Sequence, residues 1–274
     1  MAYKRILTIQ DISCVGQCSM TVALPILSAC GHETCILPTA VLSTHTGGFG
    51  RPAAAHMDHI LPDIWHHWQE NDITFDAILV GYLGSTRAIE TTMEIADTLL
   101  SPGGTLIVDP AMADHGKLYS GFRGDYVLAM EKLCTKADIL IPNITEAAML
   151  SNQEYQENLD ESYVNQLIRG LNKKCVVLTG VGYTPEQTGI AVWDGQSLRH
   201  YAHSRIDRSY HGTGDIFAAC FTGALMQEKP LMEAVKMAAD FTCRAIENTY
   251  QNPAHWYGVK FETALPELIR KLHI

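Results

Sequence analysis

Short apolar runs alternate along the chain with longer segments whose apolar residues recur every three or four positions. The short runs include RILTIQ at 5–10, FDAILVGYLG at 75–84 and CVVLTGVG at 175–182. Such runs are typical of strands buried on both faces of a parallel sheet, whereas the longer segments are typical of helices that cover a sheet. Repeated strand-then-helix units therefore predict an α/β protein with a mostly parallel sheet covered on both faces.

The same pattern predicts where the individual elements lie. Ser19 and Gly31 are expected to start and stop the first helix, and Asp194-Gly195 signals a two-residue hairpin turn. The predicted strands are 5–10, 32–41, 75–84, one beginning at 105, 138–143, 175–182 and the hairpin 188–203. The predicted helices are 19–31, 61–71, 85–104, 125–137, one around Asn165, and 215–228.

Composition and charge narrow the class of protein. The chain has 274 residues, of which 47% are hydrophobic and 18% charged. These values predict one well-cored domain over residues 1–274, without linker or internal repeat. The net charge of −10 argues against nucleic acid or an anionic membrane surface as the main partner. We find neither a signal peptide pattern nor about 18 uninterrupted apolar residues. The eight cysteines lack a C-x-x-C pair, which indicates reduced thiols in a cytoplasmic protein.

Ligands of open parallel sheets bind beyond the carboxyl ends of the strands. Polar and glycine residues follow nearly every predicted strand. We expect the binding site to lie among these segments, which are Asp11, Gly81–Gly84, Asp109–Asp114, Asn143–Glu146, Thr179–Gly182 and the loop before Gly212.

The stretch SYHGTGDIFAACFTGAL at 209–225 places small residues and an acid in front of an apolar helix. The backbone N–H groups of Gly212, Thr213 and Gly214 would form an anion site at the helix N-terminus. Asp215 then has two interpretations. It is either a first-turn acid that complements the helix dipole, or a general base that takes the proton from a hydroxyl attacking a γ-phosphate. Neither G-x-x-x-x-G-K-[ST] nor G-x-G-x-x-G is present.

Five stretches together resemble the ribokinase-like superfamily, and most closely its pyridoxal kinase branch. They are ILTIQDISCVGQCS, LSTHTGGFG, VDPAMADHG, IPNITEA and HGTGDIFAA, which occur in the family's order and span essentially the whole chain. GTGD is general to the superfamily, whereas the S-x-H-T-G of Ser43–Gly47 and the initial I-Q-D are more specific to the vitamin B6 branch. Related hydroxymethylpyrimidine phosphate kinases usually carry cysteine where this chain has Asp215.

The resemblance implies a three-layer α/β/α sandwich that transfers the γ-phosphate of ATP to the 5′-hydroxyl of pyridoxal, pyridoxine or pyridoxamine. It also implies Mg²⁺, a monovalent cation such as K⁺, and a homodimer. By motif, the implied roles are Asp215 as base; Gly212, Thr213 and Gly214 as anion hole; Asp109 and Glu146 near the metal; Asp114, Asn143, Thr179 and Thr213 near ATP; and Asp11, Cys18, His45, Thr46 and Tyr82 around the substrate.

Two departures from the family pattern lie in the substrate region. Asp11 stands where many members have serine, and a carboxylate there would favour a protonated pyridine nitrogen or a donor substituent. Cys18 stands where a small aliphatic residue is common. Three alternatives stay open: a hydroxymethylpyrimidine kinase, a sugar kinase of the same fold, and a nucleotide-binding protein without catalysis. Four histidines, His56, His59, His66 and His67, are interpreted as solvated or packed side chains rather than a zinc site.

Overall fold

A computed structural model describes residues 2–208 and 210–273. Its strands form one sheet of nine and a separate two-stranded ribbon. The strands are Arg5–Ser13 (β1), Glu33–Leu42 (β2), Ala54–His56 (β3), Phe75–Val80 (β4), Leu100–Val108 (β5), Ala113–Asp114 (β6), Lys117–Leu118 (β7), Ile139–Leu140 (β8), Cys175–Thr179 (β9), Gln187–Trp193 (β10) and Leu198–Ser204 (β11).

Helices separate most of the parallel strands along the chain, and the last three helices follow β11. They are Met20–Ala29 (α1), Leu61–Glu70 (α2), Thr86–Leu99 (α3), Gly124–Lys136 (α4), Ile144–Leu150 (α5), Glu161–Gly170 (α6), Thr213–Met226 (α7), Leu231–Tyr250 (α8) and Leu265–Leu272 (α9), with a 3-10 turn at Phe261–Thr263.

The centre of the large sheet is parallel, as the sequence predicts. The strand order is β11-β10-β9-β8-β5-β4-β1-β2-β3, and every pairing from β9 through to β2 is parallel. Antiparallel strands close both edges, with β3 beside β2 and the β10–β11 hairpin beside β9. The carboxyl ends of the parallel strands therefore meet at one edge of the sheet.

Alternate residues of the central strands pack into different cores. In β4, Ala77 and Leu79 belong to one cluster of buried residues, whereas Ile78 and Val80 belong to another. The first cluster includes residues of α1, α7, α8 and α9, and the second includes residues of α2, α3 and α4. Because successive side chains of a strand point to opposite faces, the sheet lies between two helical layers. The predicted three-layer α/β/α sandwich is confirmed.

Some predicted bounds were wrong for identifiable reasons. The helix expected over 85–104 ends at Leu99, and β5 begins at the next residue, ahead of the Pro-Gly-Gly segment. The strand expected over 138–143 is continuous only at Ile139–Leu140, and beyond Pro142 it resumes as a single parallel bridge between Asn143 and Thr179. The hairpin loop has four residues rather than two, because Asp194 Oδ1 accepts the backbone N–H groups of Gln196 and Ser197 at 3.0 and 2.8 Å.

The start of α1 also differs from the prediction. Ser19 occupies the N-cap position, but its φ is 49° and its side chain makes no capping hydrogen bond. Gly31, with φ of 83°, follows the end of α1 as predicted. Elements that the sequence pattern did not predict include β3, α8, α9 and the β6–β7 ribbon.

The β6–β7 ribbon is a tight hairpin in the segment that follows β5. Its turn residues His115 and Gly116 have φ of 48° and 75°, and two consecutive positive φ values are the signature of a type I′ hairpin. Ala113 pairs with Leu118 and Asp114 with Lys117. The ribbon extends from the carboxyl end of β5 toward the site described below.

Two further observations concern membrane and redox expectations. Across residues 2–208 and 210–273, the structure contains no helix with the length and apolar character needed to cross a bilayer. The eight cysteines are free thiols, and Cys18, Cys30, Cys134 and Cys220 are buried.

Candidate active site

A cavity of about 770 Å³ opens at the carboxyl ends of the parallel strands. It is lined by segments that lie far apart in the sequence. Every residue predicted for the site lines it, namely Asp11, Cys18, His45, Thr46, Tyr82, Asp109, Asp114, Asn143, Glu146, Thr179, Gly212, Thr213, Gly214 and Asp215.

The N-terminus of α7 presents free N–H groups to this cavity. Gly212 is the N-cap, and the first helical hydrogen bond runs from Ile216 N to Gly212 O at 3.0 Å. The N–H groups of Thr213, Gly214 and Asp215 therefore have no partner within the helix. Aligned N–H groups of this kind attract negative charge without a basic side chain. The start of α7 is therefore a candidate for the anion hole predicted from the sequence.

Glycine is required at the turn that precedes α7. Gly212 has φ of 80°, and a Cβ atom at this position would lie 2.0 Å from the carbonyl oxygen of Gln17. A Cβ on Gly214 would lie 4.0 Å from Asp109 Oδ2. Gly212 thus allows the start of α7 to approach the loop after β1, whereas a Cβ on Gly214 would make only an ordinary van der Waals contact.

Asp215 lies in the first turn of α7 and lines the cavity. Burial raises the pKa of its carboxyl to about 7, the nearby charge of Asp11 adds to the rise, and the backbone N–H of Ser19 opposes it. A carboxylate with this pKa can take up a proton near neutral pH. Its position satisfies the helix-dipole interpretation as well, so the two interpretations describe one arrangement.

Asp109, Glu146 and Asp215 form the acidic wall of the cavity. Burial and the charges of Glu146 and Asp215 raise the pKa of Asp109 well above its usual value, and burial raises the pKa of Glu146 to about 8. Lys117 is the one lysine or arginine among the described residues that line the cavity. Neighbouring carboxylates in a poorly solvated site favour the binding of a cation.

The donor set fits Mg²⁺ rather than a metal held by protein alone. Among residues 2–208 and 210–273, no three histidine, cysteine, aspartate or glutamate side chains are placed to hold an ion together. Mg²⁺ commonly keeps several waters and binds one or two carboxylates together with substrate phosphates. Asp109 and Glu146 offer that kind of carboxylate set beside the anion hole.

Asn143 and Glu146 are linked by a reciprocal capping box at the start of α5. Asn143 Oδ1 accepts Glu146 N, and Glu146 Oε2 accepts Asn143 N, both at 2.9 Å. Glu146 Oε1 also accepts Met112 N at 3.1 Å, and Asn143 Nδ2 donates to Ala113 O at 2.8 Å. The N-x-x-E motif therefore holds the segment that follows Asp109 in place.

Asp11 is a buried carboxylate on the cavity wall. It is 4% exposed, and its Oδ2 accepts the hydroxyl of Ser13 at 2.9 Å. Burial raises the pKa of Asp11, while hydrogen bonds from Ser19 and Ser13 oppose the rise. No lysine or arginine in the described part of the chain forms an ion pair with it. A cationic or N–H donor group of a ligand would be its natural complement.

Tyr82 and Cys18 line the cavity together with Asp11. The ring of Tyr82 stacks on Phe122 with centroids 5.3 Å apart, and burial together with the charge of Asp11 raises the pKa of Tyr82 to about 12. Cys18 is buried between Asp11 and Asp215, and burial raises the pKa of its thiol. Thr46 is exposed to the cavity mouth, whereas His45 is buried.

The opposite end of the cavity is lined by β10, β11 and α8. Thr179 is held there by its backbone N–H and its hydroxyl, which donate to Pro142 O at 2.9 and 3.3 Å. Sequence reasoning missed the remaining residues at this end, because they lie within strands and a helix rather than after strand ends. The missed lining residues include Thr188, Gly189, Ile190, His203, Ala239, Thr242, Cys243 and Ile246.

The part of the β6–β7 ribbon beyond Asp114 was also missed as cavity wall, whereas His211 lies in the loop before Gly212 that was expected at the site. His115, Lys117 and Leu118 of the ribbon line the cavity with Asp114. In the sequence, the pair His115-Gly116 is a turn signal, although it is weaker than Asn-Gly or Asp-Gly. No comparable signal marks the residues of α8.

Comparison with known proteins agrees with this geometry. The phosphomethylpyrimidine kinase family model matches residues 27–259. A hydroxymethylpyrimidine/phosphomethylpyrimidine kinase of Haemophilus influenzae is 31% identical over 186 residues, which cover 65% of this chain and 68% of that protein. The match and the fold identify a kinase of the ribokinase-like superfamily.

Two solved structures resemble the chain over nearly its whole length. The pyridoxal kinase of Lactobacillus plantarum is 34% identical with a TM-score of 0.89, covering 98% of this chain and 97% of that one. A putative phosphomethylpyrimidine kinase of Bacteroides thetaiotaomicron, crystallised with pyridoxal, is 32% identical with a TM-score of 0.92, covering 97% and 96%. The chain belongs to the phosphomethylpyrimidine kinase family.

Proposed function

We propose that this protein is an ATP-dependent kinase that phosphorylates the 5′-hydroxyl of pyridoxal, pyridoxine or pyridoxamine. The observation that carries the proposal is the position of Asp215 in the first turn of α7, on the cavity wall beside the free N–H groups of Thr213 and Gly214. A base and an anion site side by side are the two protein groups that phosphoryl transfer to a hydroxyl needs.

We assign one role to each group in the proposed reaction. Asp215 takes the proton of the acceptor hydroxyl while the hydroxyl oxygen forms a bond to the γ-phosphorus. The bond between the γ-phosphorus and ADP breaks, and the leaving phosphate oxygen keeps the electron pair. The N–H groups at the start of α7 stabilise the charge of the phosphoryl group in flight. Thr179 and Asp114 line the same cavity and would contact the nucleotide.

Cations are part of the proposal. Asp109 and Glu146 would hold Mg²⁺, which neutralises phosphate charge when it is bound. The acidic wall supports this role, because a triphosphate would otherwise meet Asp109, Glu146 and Asp215 with Lys117 as the one lysine or arginine of the described lining. A monovalent cation such as K⁺ is included on the family resemblance alone.

The choice of a B6 vitamer as acceptor is supported by the residues around the hydroxyl site. Asp11 offers a carboxylate to a pyridinium or amine group, and Tyr82 offers an aromatic face. The solved relative that is crystallised with pyridoxal shares 32% identity. A second candidate, hydroxymethylpyrimidine as acceptor, is favoured by the 31% identical Haemophilus influenzae relative, a hydroxymethylpyrimidine/phosphomethylpyrimidine kinase.

A substrate panel tests the proposal. Purified protein with ATP and Mg²⁺ is offered pyridoxal, pyridoxine, pyridoxamine, hydroxymethylpyrimidine or ribose, while ADP release is followed and the products are identified by ³¹P NMR. We expect kcat/KM for at least one vitamer to exceed that for hydroxymethylpyrimidine by roughly tenfold or more. A preference for hydroxymethylpyrimidine or ribose over every vitamer would overturn the proposal. ATP binding without turnover of any acceptor would also overturn it.

A further inference from the structure

Both ring nitrogens of His45 are already engaged by protein backbone. Its Nε2 bonds to the carbonyl oxygen of Tyr257 at 3.1 Å, and its Nδ1 accepts the N–H of Gly47 at 3.0 Å. A carbonyl oxygen can only accept, so the proton of the neutral ring must be on Nε2. Burial and the neighbouring His211 lower the pKa of His45, which agrees with a neutral ring. The ring therefore has no nitrogen left for a substrate.

The ring of His45 also has no room to turn. It is 5% exposed, and a Cβ added to Gly16 would lie 2.0 Å from its Cδ2 atom. The rings of His211 and Phe49 pack against it with centroids 4.8 and 5.1 Å away. Because close packing around the ring fixes the rotamer, the hydrogen bond to Gly47 stays within the loop of His45 and the hydrogen bond to Tyr257 links this loop to a distant segment of the chain.

The C-terminal segment that contains Tyr257 is also hydrogen-bonded to the loop after β1, through Gln17. Gln17 Oε1 contacts His255 Nε2 at 2.8 Å, and Gln17 Nε2 donates to the carboxylate of Glu262 at 2.8 and 3.0 Å. The carbonyl oxygen of Gln17 is the atom that would lie 2.0 Å from a Cβ on Gly212. Residues 255–262 therefore form hydrogen bonds with both the loop of His45 and the loop of Gln17.

We propose that His45 is a positioning residue that fastens the acceptor loop, residues 43–50, to the C-terminal segment, residues 255–262. Thr46 and Gly47 follow His45 directly and line the cavity. Fixing them in the free protein lowers the entropy cost of binding the acceptor. The fastening is a property of the free chain, whereas its effect on the acceptor rests on the proposed function.

Three substitutions separate the two hydrogen bonds. His45→Asn keeps an acceptor near the place of Nδ1, His45→Gln keeps a donor near the place of Nε2, and His45→Ala keeps neither. The exposed His59 supplies the matched control His59→Ala. Amide hydrogen exchange of the free proteins then reports the loop directly, without any substrate.

We expect His45→Ala to speed exchange at residues 46–50 by at least about tenfold, with slower exchange at residues 48–50 regained in His45→Gln, which keeps the donor to Tyr257 O, and not in His45→Asn. His59→Ala should leave exchange in this loop unchanged. Unchanged exchange in all three His45 variants would overturn the inference. If His45→Ala does not fold, as judged by its thermal unfolding, the comparison of Asn with Gln decides.

Kinetics supply the second readout. The KM for the acceptor should rise by at least about tenfold in His45→Ala, with partial rescue in His45→Gln, while kcat and the KM for ATP change by less than about threefold. A fall in kcat at unchanged acceptor KM would mean that His45 acts on the reacting groups, which overturns the inference. If the chain phosphorylates no vitamer while the exchange result holds, the proposed function fails and the fastening role stands.

Discussion

A Cβ atom added to Gly212 would lie 2.0 Å from the carbonyl oxygen of Gln17. This contact joins the turn before α7 to the loop after β1. Since the N–H groups of Thr213 and Gly214 follow this turn directly, their direction depends on how closely the two backbones approach. The anion hole is therefore built by packing between distant segments as well as by the local G-T-G sequence.

Gly212→Ala tests this dependence. The new methyl group must displace either Gln17 or the start of α7, so kcat/KM for the acceptor should fall by at least about a hundredfold, as for a lost oxyanion-hole donor. The control is Gly103→Ala, because Gly103 has a similar φ of 79° but no atom within 4 Å of a new Cβ. It should cost about 1 kcal/mol of stability and no activity. Equal activity in the two variants would contradict the role of this contact.

The pH dependence of turnover should report Asp215. Burial raises the pKa of Asp215 to about 7, and a general base works in its deprotonated form. We expect kcat/KM to be roughly tenfold lower at pH 6 than at pH 8, because protonation removes the base as the pH falls. The residual activity of Asp215→Asn should lack this rise. A flat profile between roughly pH 5.5 and 8, a window above the ordinary carboxyl pKa of about 4, would count against Asp215.

Asn143→Ala tests the capping box at the start of α5. It removes the acceptor for Glu146 N and the donor to Ala113 O, so unfolding should become easier by about 1–2 kcal/mol. The KM for ATP should rise, because the segment after Asp109 loses a support. Denaturant unfolding and ATP kinetics measure the two effects, and Thr135→Ala, an exposed residue of α4, serves as control. Unchanged stability would show that the capping box is dispensable.

Asp11→Ser is expected to change the preference among vitamers. Pyridoxamine carries an amine that pyridoxine lacks, so it should lose about tenfold more kcat/KM than pyridoxine when the buried carboxylate is removed. Cys18→Ser, on the same wall of the cavity, controls for general disturbance of the pocket. Relative kcat/KM values that stay constant across pyridoxal, pyridoxine and pyridoxamine would remove Asp11 from the specificity determinants.

The sheet and the anion hole could be predicted from sequence because both depend on local signals. Apolar runs such as 75–80 read as buried strands, and Gly212 and Gly214 in front of an apolar helix indicate an anion site. The strand-end rule then brought Asp109, Asn143 and Thr179 to one edge. Each of these inferences needs no knowledge of tertiary contacts.

The remaining features arise from contacts that no local pattern encodes. His45 was expected to contact substrate from its motif, but its partner Tyr257 is 212 positions away. Ala239, Thr242 and Cys243 of α8 line the cavity because α8 packs on the sheet. Ser19 was expected to cap α1 with its side chain, whereas it adopts φ of 49° beside the buried Asp11. Such arrangements depend on long-range packing, which overrides local preference.

The most direct test of the central claim is the turnover of Asp215→Asn with saturating ATP, Mg²⁺ and the preferred vitamer, measured together with ATP affinity. Asparagine keeps the shape of the side chain and cannot accept the hydroxyl proton as a base. The account predicts ATP affinity within about twofold of the original value and a kcat at least about a hundredfold lower. Turnover close to that of the unchanged protein would contradict the account, because the base would then lie elsewhere.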